Sequence, residues 1–184
     1  MALVLYDHPL SPYAQKVKLA LHFKGVPFEV RRPERLGSGA AAPDFLAASP
    51  RGEVPAVVDG AVRVFESSVI VAWIEDRWPA PPFLPADPEE RARVRMLETV
   101  LDTHCEAVNW AQGELSWFGR GGDRSEALRA AAAEDTGRWH RWLEGQLGGR
   151  PWFNGNGWGH GDAAVLPWVD GAASFGLTPP AGTA

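Results

Sequence analysis

Residues 3–25, LVLYDHPLSPYAQKVKLALHFKG, decide how this chain is read. Leu3 to Tyr6 form an unbroken apolar run, the pattern of a buried strand. A short turn follows, and Pro12 opens a helix at the first-turn position where proline is tolerated. Ala14, Val17 and Leu21 then fall on one face at helical spacing. Gly25 closes the helix, as glycine often does. Ser11 stands where the strand hands over to the helix. There the backbone presents unpaired N–H groups and the positive end of the helix dipole.

Working outward, VPFEVRR (26–32) alternates as a second strand, and residues 33–42 read as a Pro/Gly/Ala-rich loop. PDFLAAS (43–49) predicts a short helix. PAVVDGAVRVFE (55–66) predicts a hairpin, two β-branched runs joined through Asp59-Gly60. SSVIVAWIEDRW (67–78) predicts a helix capped by serine, with Val69, Ile70, Trp73 and Ile74 on its buried face. The order β-α-β, short helix, β-β-α describes a small mixed sheet with helices on both faces.

PAPPFLPADP (79–88) is proline-rich and predicts a domain boundary. Beyond it everything reads as helix. Asp87 caps Pro88-Glu89-Glu90 and places acid in the first turn. Leu97, Leu101, His104, Val108 and Leu115 make one stripe. GGDRSEA (121–127) breaks the helix and restarts it, Asp123 and Glu126 having capping-box spacing. The next helix runs to about Leu147, a glycine-rich loop spans 148–161, and a last helix bends at Pro167. The expected division is 1–78, a linker at 79–87, and an all-helical 88–184.

The 184 residues carry a net charge of −5 with scattered basic residues, which disfavours nucleic acid as a partner. Cys105 is the single cysteine, so no internal disulfide forms and a reducing, cytoplasmic setting is expected. MALVLYDHP lacks the basic region of a signal peptide. No apolar run approaches the ~20 residues of a membrane helix. Seven of the nine tryptophans lie after residue 100, as core or as lining for an apolar ligand.

Four segments together resemble the cytosolic glutathione transferase family: Ser11-Pro12-Tyr13-Ala14, SPRGEVPAVVDG (49–60), FESSVIVAWIE (65–75) and WFNGNGWGHGDAAVLPWV (152–169). They span nearly the whole chain in the family's order. The resemblance implies an α/β thioredoxin-like domain followed by an all-α helical domain. It also implies glutathione as co-substrate, a small-molecule electrophile as partner, no metal, and a homodimer. The Ala/Gly/Arg-rich composition suggests a bacterial source, and the resemblance implies a role in detoxification.

In serine-type members a serine at this turn donates to the sulfur of glutathione, and Ser11 holds the matching place. The thiolate is the nucleophile, and a free thiol near pKa 8.5 is only a few per cent ionised at neutral pH. Tyr6 is the rival sulfur contact, and plain helix capping is the alternative role for Ser11. Relatives that exchange disulfides carry cysteine there. A triad of Ser11, His8 and Asp7 is disfavoured, because near neighbours on one turn rarely align as nucleophile, base and orienter.

The resemblance further implies a cis Val54-Pro55 step whose backbone pairs with the cysteinyl part of the ligand. Glu66 would take the γ-glutamyl ammonium, and Ser67, at the N-terminus of its helix, the γ-glutamyl carboxylate. Glu53 flanks the glycyl carboxylate, which its charge would repel. The usual basic residue before the short helix is missing from GSGAAAPDF (37–45), with Arg35 the substitute in reach of the sequence. Leu10, Tyr13, His104 and Trp110, with Trp117, are the expected electrophile pocket. Gly159 stands where relatives cap the last helix with Ser or Thr. The chain ends in LTPPAGTA without the further helices of relatives. Competing readings are a glutathione-dependent isomerase or dehalogenase, use of another low-molecular-weight thiol, and a non-catalytic interaction module.

Overall fold

The structure, a computed structural model, describes residues 2–37 and 40–178. Ser38 and Gly39 of the expected loop, and the last six residues of the terminal LTPPAGTA, lie outside the described residues. The chain divides into two compact units, Met1–Ala86 and Asp87–Ala184.

In the first unit the order is β1 (Leu3–Tyr6), α1 (Pro12–Phe23), β2 (Phe28–Arg31), α2 (Pro43–Ala48), β3 (Ala56–Asp59), β4 (Val62–Phe65) and α3 (Ser67–Arg77). The strands lie in the order β2-β1-β3-β4. β1 runs parallel to β2 and antiparallel to β3, and β3 runs antiparallel to β4. Parallel β1 and β2 need a crossover, which α1 provides. The hairpin turns through Gly60, whose φ of 59° favours glycine.

Alternation along β1 splits the core into two layers. Val4 and Tyr6 pack with Phe45, Ala48 and Ala56 beneath α2. Leu3 and Leu5 point the other way. With buried Val57, Val17, Leu21, Ile70 and Ile74 they fill the layer under α1 and α3. The buried face of α3 differs from the expected one. Val71 is buried, whereas Val69 is 54% exposed. The proline-rich segment belongs to the first unit. Phe83 is fully buried against Phe23, with ring centroids 5.0 Å apart. Glu75 accepts from the Phe83 and Leu84 N–H groups and pairs with the buried Lys24 ammonium.

The second unit holds α4 (Pro88–Val100), α5 (Glu106–Trp117), α6 (Ser125–Leu147) and α7 (His160–Ser174). Asp87 caps α4 as expected, accepting from Glu89 and Glu90 N–H at 3.0 Å. Between α4 and α5 the helix loosens into a π turn, Leu101–Cys105. This corrects the expected stripe. A π turn inserts a residue into the helical repeat, so burial passes from Leu97 and Leu101 to Cys105, Asn109 and Gln112, and His104 faces solvent. The expected capping box at Asp123 and Glu126 does not form. A 3₁₀ turn, Gly122–Arg124, takes up that segment, and α6 begins at Ser125. α6 ends at Gly148 with φ 58°. Asp162 accepts from Gly159, Phe153 and Asn154 N–H, at 3.1, 2.8 and 3.3 Å. It therefore ties the loop to α7 without help from a cap side chain at Gly159. His160 Nε2 meets Glu98 Oε2 at 3.0 Å and links α7 to α4.

α6 also buries His140, 4% exposed, with neither ring nitrogen hydrogen-bonded. Burial lowers its pKa from the ordinary 6.5. The unfolded chain therefore takes up a proton below about pH 6.5 that the native chain refuses. Stability is full above that pH and falls as pH drops through the window below it, by up to about 1.4 kcal/mol per pH unit. Urea titrations of wild type and His140→Phe from pH 7 to pH 5 are expected to diverge, the variant losing less stability on acidification.

Candidate functional site

Strand register brings the segments carrying Ser11, Val54-Pro55 and Glu66-Ser67 to one end of the sheet. Tyr6, at the end of β1, pairs with Ala56 at the start of β3, and Ala56 pairs with Phe65 at the end of β4. The turn carrying Ser11, the Val54-Pro55 step and the Glu66-Ser67 junction therefore all leave the sheet at one end. From β1 across β3 to β4 is two inter-strand steps, about 10 Å. An extended tripeptide has about that length.

Ser11 is the N-cap of α1, and its Oγ accepts from Ala14 N–H at 3.2 Å. The capping bond fixes the oxygen and leaves the hydroxyl proton to donate. Capping and ligand contact are thus compatible. Asp7 is buried and engaged by Lys18 and Gln15. His8 Nδ1 accepts from Leu10 N–H at 3.3 Å. Neither is set as base or orienter for Ser11. Tyr6 is buried over Phe45, and its hydroxyl donates to Asp44 Oδ2 at 3.1 Å. Burial, the largest influence, raises its pKa. That commits the tyrosine to α2.

The Val54-Pro55 peptide is cis. Pro55 is buried, Val54 is half-buried, and β3 begins only at Ala56, so Val54 sits just outside the ladder. Glu66 holds φ 68° and ψ 116°, a region costly for a side-chain-bearing residue by about 1–3 kcal/mol. The expected Ser67 cap is not formed. A single residue separates β4 from α3, so Glu66 takes the N-cap position, and Ser67 is the first helical residue, 6% exposed. No side chain caps α3. Its leading N–H groups and positive dipole end remain suited to a carboxylate.

Glu53 is exposed and paired with Arg51. Sequence reasoning passed over Arg51 while looking for a basic residue before α2. Its signal was a lone arginine just ahead of the Val54-Pro55 step. Arg35, with φ 57°, sits in a loop tied to that step by Gly37 N–H donating to Gly52 at 2.7 Å.

The expected electrophile residues divide between the units. Leu10 is 64% exposed, and Tyr13 is half-buried with the Lys16 ammonium 5.9 Å from its ring centre. In the second unit His104 is exposed, and Trp110 and Trp117 are 55% and 50% exposed. Burial pushes the Cys105 thiol up to about 12. Among the described residues no group of three or more His, Cys, Asp or Glu is placed to hold a metal ion, and no helix is long and apolar enough to cross a membrane.

Residues 5–82 match the family model described as "Glutathione S-transferase, N-terminal domain". This part of the chain is similar to the N-terminal domain of the glutathione S-transferases. Glutathione S-transferase U28 of Arabidopsis thaliana is 29% identical over 167 residues, 90% of this chain and 70% of that protein. Maleylacetoacetate isomerase of Pseudomonas aeruginosa is 27% identical over 176 residues, 94% of this chain and 82% of that protein. Rice GST1, solved in complex with glutathione, superposes with a TM-score of 0.79 at 26% identity, covering 96% of this chain and 79% of that one. The mixed four-stranded unit and the helical unit after it make up the glutathione transferase fold.

The strain at Glu66 is a property of its backbone, so it is testable apart from any ligand. Glu66→Gly is expected to exceed Glu66→Ala in stability by about 1–2 kcal/mol, since only glycine relaxes a positive φ. Equilibrium urea unfolding of the two variants checks this, and equal midpoints would remove strain from the account.

Proposed function

We propose that this chain is a serine-type glutathione transferase that binds glutathione extended across the end of the sheet and activates its thiol for attack on a small apolar electrophile. The observation carrying this reading is the common exit of Ser11, Val54-Pro55 and Glu66-Ser67 at the paired ends of β1, β3 and β4. Three polar fixtures fall along one tripeptide length. The uncapped start of α3 takes the γ-glutamyl carboxylate, and Glu66 takes the ammonium beside it. Backbone groups of Val54 pair with the cysteinyl residue in strand fashion. Ser11 then donates its hydroxyl proton to the sulfur.

The chemistry assigned to Ser11 is electrostatic. Holding a thiol of pKa about 8.5 two units lower requires roughly 2.7 kcal/mol of preference for the anion. A charge-assisted hydroxyl bond and the positive end of α1 supply energies of that order. The thiolate attacks the electrophilic carbon, a carbon–sulfur bond forms, and the leaving group departs with the electron pair of the broken bond. Ser11 stays chemically unchanged. An ultraviolet difference titration with glutathione is expected to give saturable thiolate absorbance with a midpoint below 8.5. Ser11→Ala should move that midpoint toward 8.5 and slow conjugation by about 10- to 100-fold. Full activity in Ser11→Ala would overturn the role of Ser11.

A second reading is favoured by the resemblance to maleylacetoacetate isomerase over most of both chains. Isomerisation uses the same thiolate, adding it reversibly to an activated double bond, so Ser11 serves both. Side-by-side assays with an aryl halide and a cis-enone acid separate them.

The proposed assembly is a homodimer. β4 is an edge strand, and Val62, Phe65 and Val69 on β4 and α3 are 44%, 38% and 54% exposed. An exposed apolar edge is a liability for a monomer. Sedimentation equilibrium is expected to give twice the chain mass, shifting toward monomer in Phe65→Glu.

A further inference from the structure

Arg51 and Glu53 flank Gly52, directly ahead of Val54-Pro55. Gly52 holds φ 69°, which glycine adopts readily. Arg51 Nε donates to Glu53 Oε2 at 2.7 Å, and Nη2 donates to Oε1 at 3.2 Å. The fork is bidentate, the geometry in which a guanidinium recognises a carboxylate. Both side chains stand in solvent, 64% and 53% exposed. The backbone under them is pinned: Gly52 carbonyl accepts from Gly37 N–H at 2.7 Å, and Glu53 N–H donates to Ser49 Oγ at 3.2 Å. Glu53 first and Glu66 last among the favourable influences hold the Arg51 guanidinium above its ordinary range, so Arg51 lies within the field of both carboxylates.

We infer that Glu53 is a built-in competitor for the terminal carboxylate of the thiol, held by Arg51 in the free protein and exchanged for that carboxylate on binding. The inference rests on the thiol-binding reading above, which places the ligand beside Val54. Arg51 has one fork to offer, and the two rivals are chemically alike. Glu53 is tethered two residues away, so its effective concentration exceeds that of a dissolved ligand. An exposed pair of this kind is held weakly against water, so exchange is feasible. Once displaced, Glu53 stands beside the incoming carboxylate and repels it. The pair therefore sets specificity. It penalises a thiol with a free distal carboxylate relative to the same thiol with that end neutralised.

Isothermal titration of the full chain with glutathione and with its glycyl monoethyl ester tests this, using wild type, Glu53→Gln and Arg51→Gln. Glu53→Gln is expected to tighten glutathione by about threefold to fivefold while leaving the ester nearly unchanged. Arg51→Gln should weaken glutathione and leave the ester unaffected. Equal responses of the two ligands to Glu53→Gln, or weaker glutathione binding in that variant, would overturn the competition while leaving the thiol site standing. Failure of both ligands to bind any of the three folded proteins would overturn the competition and the thiol site together.

Discussion

The site depends on one constraint, the register that sets Tyr6 against Ala56 and Ala56 against Phe65. Everything proposed to touch a ligand leaves the sheet at that pair of junctions. Register in a half-buried sheet is held by the pleat, because a slip of one residue turns every side chain to the other face. Here a slip would carry Leu5 and Val57 out of the layer under α1 and α3, and Tyr6 and Ala56 out of the layer beneath α2. Both layers would lose their fit at once. The alignment of Ser11, Val54 and Glu66 is thus secured by apolar packing that Val54 joins only at the margin of the layer beneath α2 and in which neither Ser11 nor Glu66 takes part.

The same constraint explains why Glu66 is strained. β4 must reach Phe65 to complete the register, and α3 must begin at Ser67 for Ile70 and Ile74 to reach the core. One residue is left to turn the chain, and it takes a positive φ. Glycine would make that turn more cheaply, yet a glutamate occupies it. The resemblance implies Glu66 as a ligand contact, and a cost accepted at a position with no packing role supports a role for its side chain.

Much of this was legible in the chain. Strand β1, helix α1 and the hairpin follow from apolar periodicity and turn residues, and Ser11 as the cap of α1 follows from its place between strand and helix, its site role being implied by the resemblance alone. What escaped reading depended on single-residue phase or on long-range placement. The spacing of Leu97, Leu101, His104 and Val108 suits a regular helix. Only packing reveals the π turn that moves His104 outward and draws Cys105 inward. Ser67 looked like a cap because serine before an apolar run usually is one. The tight β4–α3 junction advanced the helix start by one residue, so the cap position fell on Glu66. The pairing of Arg51 with Glu53 depends on the φ of Gly52, which composition does not announce.

Sulfur chemistry completes the picture. Cys105 is 1% exposed, and burial pushes its thiol up to about 12. At neutral pH the thiol stays protonated, and solvent does not reach it. The resemblance sets Ser11 where relatives that exchange disulfides carry cysteine. A serine there can steady a sulfur anion through a hydrogen bond but cannot form a bond to sulfur. This fits the proposal that the thiolate arrives with the ligand. The protein's own share is then positional and electrostatic: a fixed hydroxyl, two helix N-termini, a half-buried Val54 ahead of β3, and an acid held where glycine would be easier.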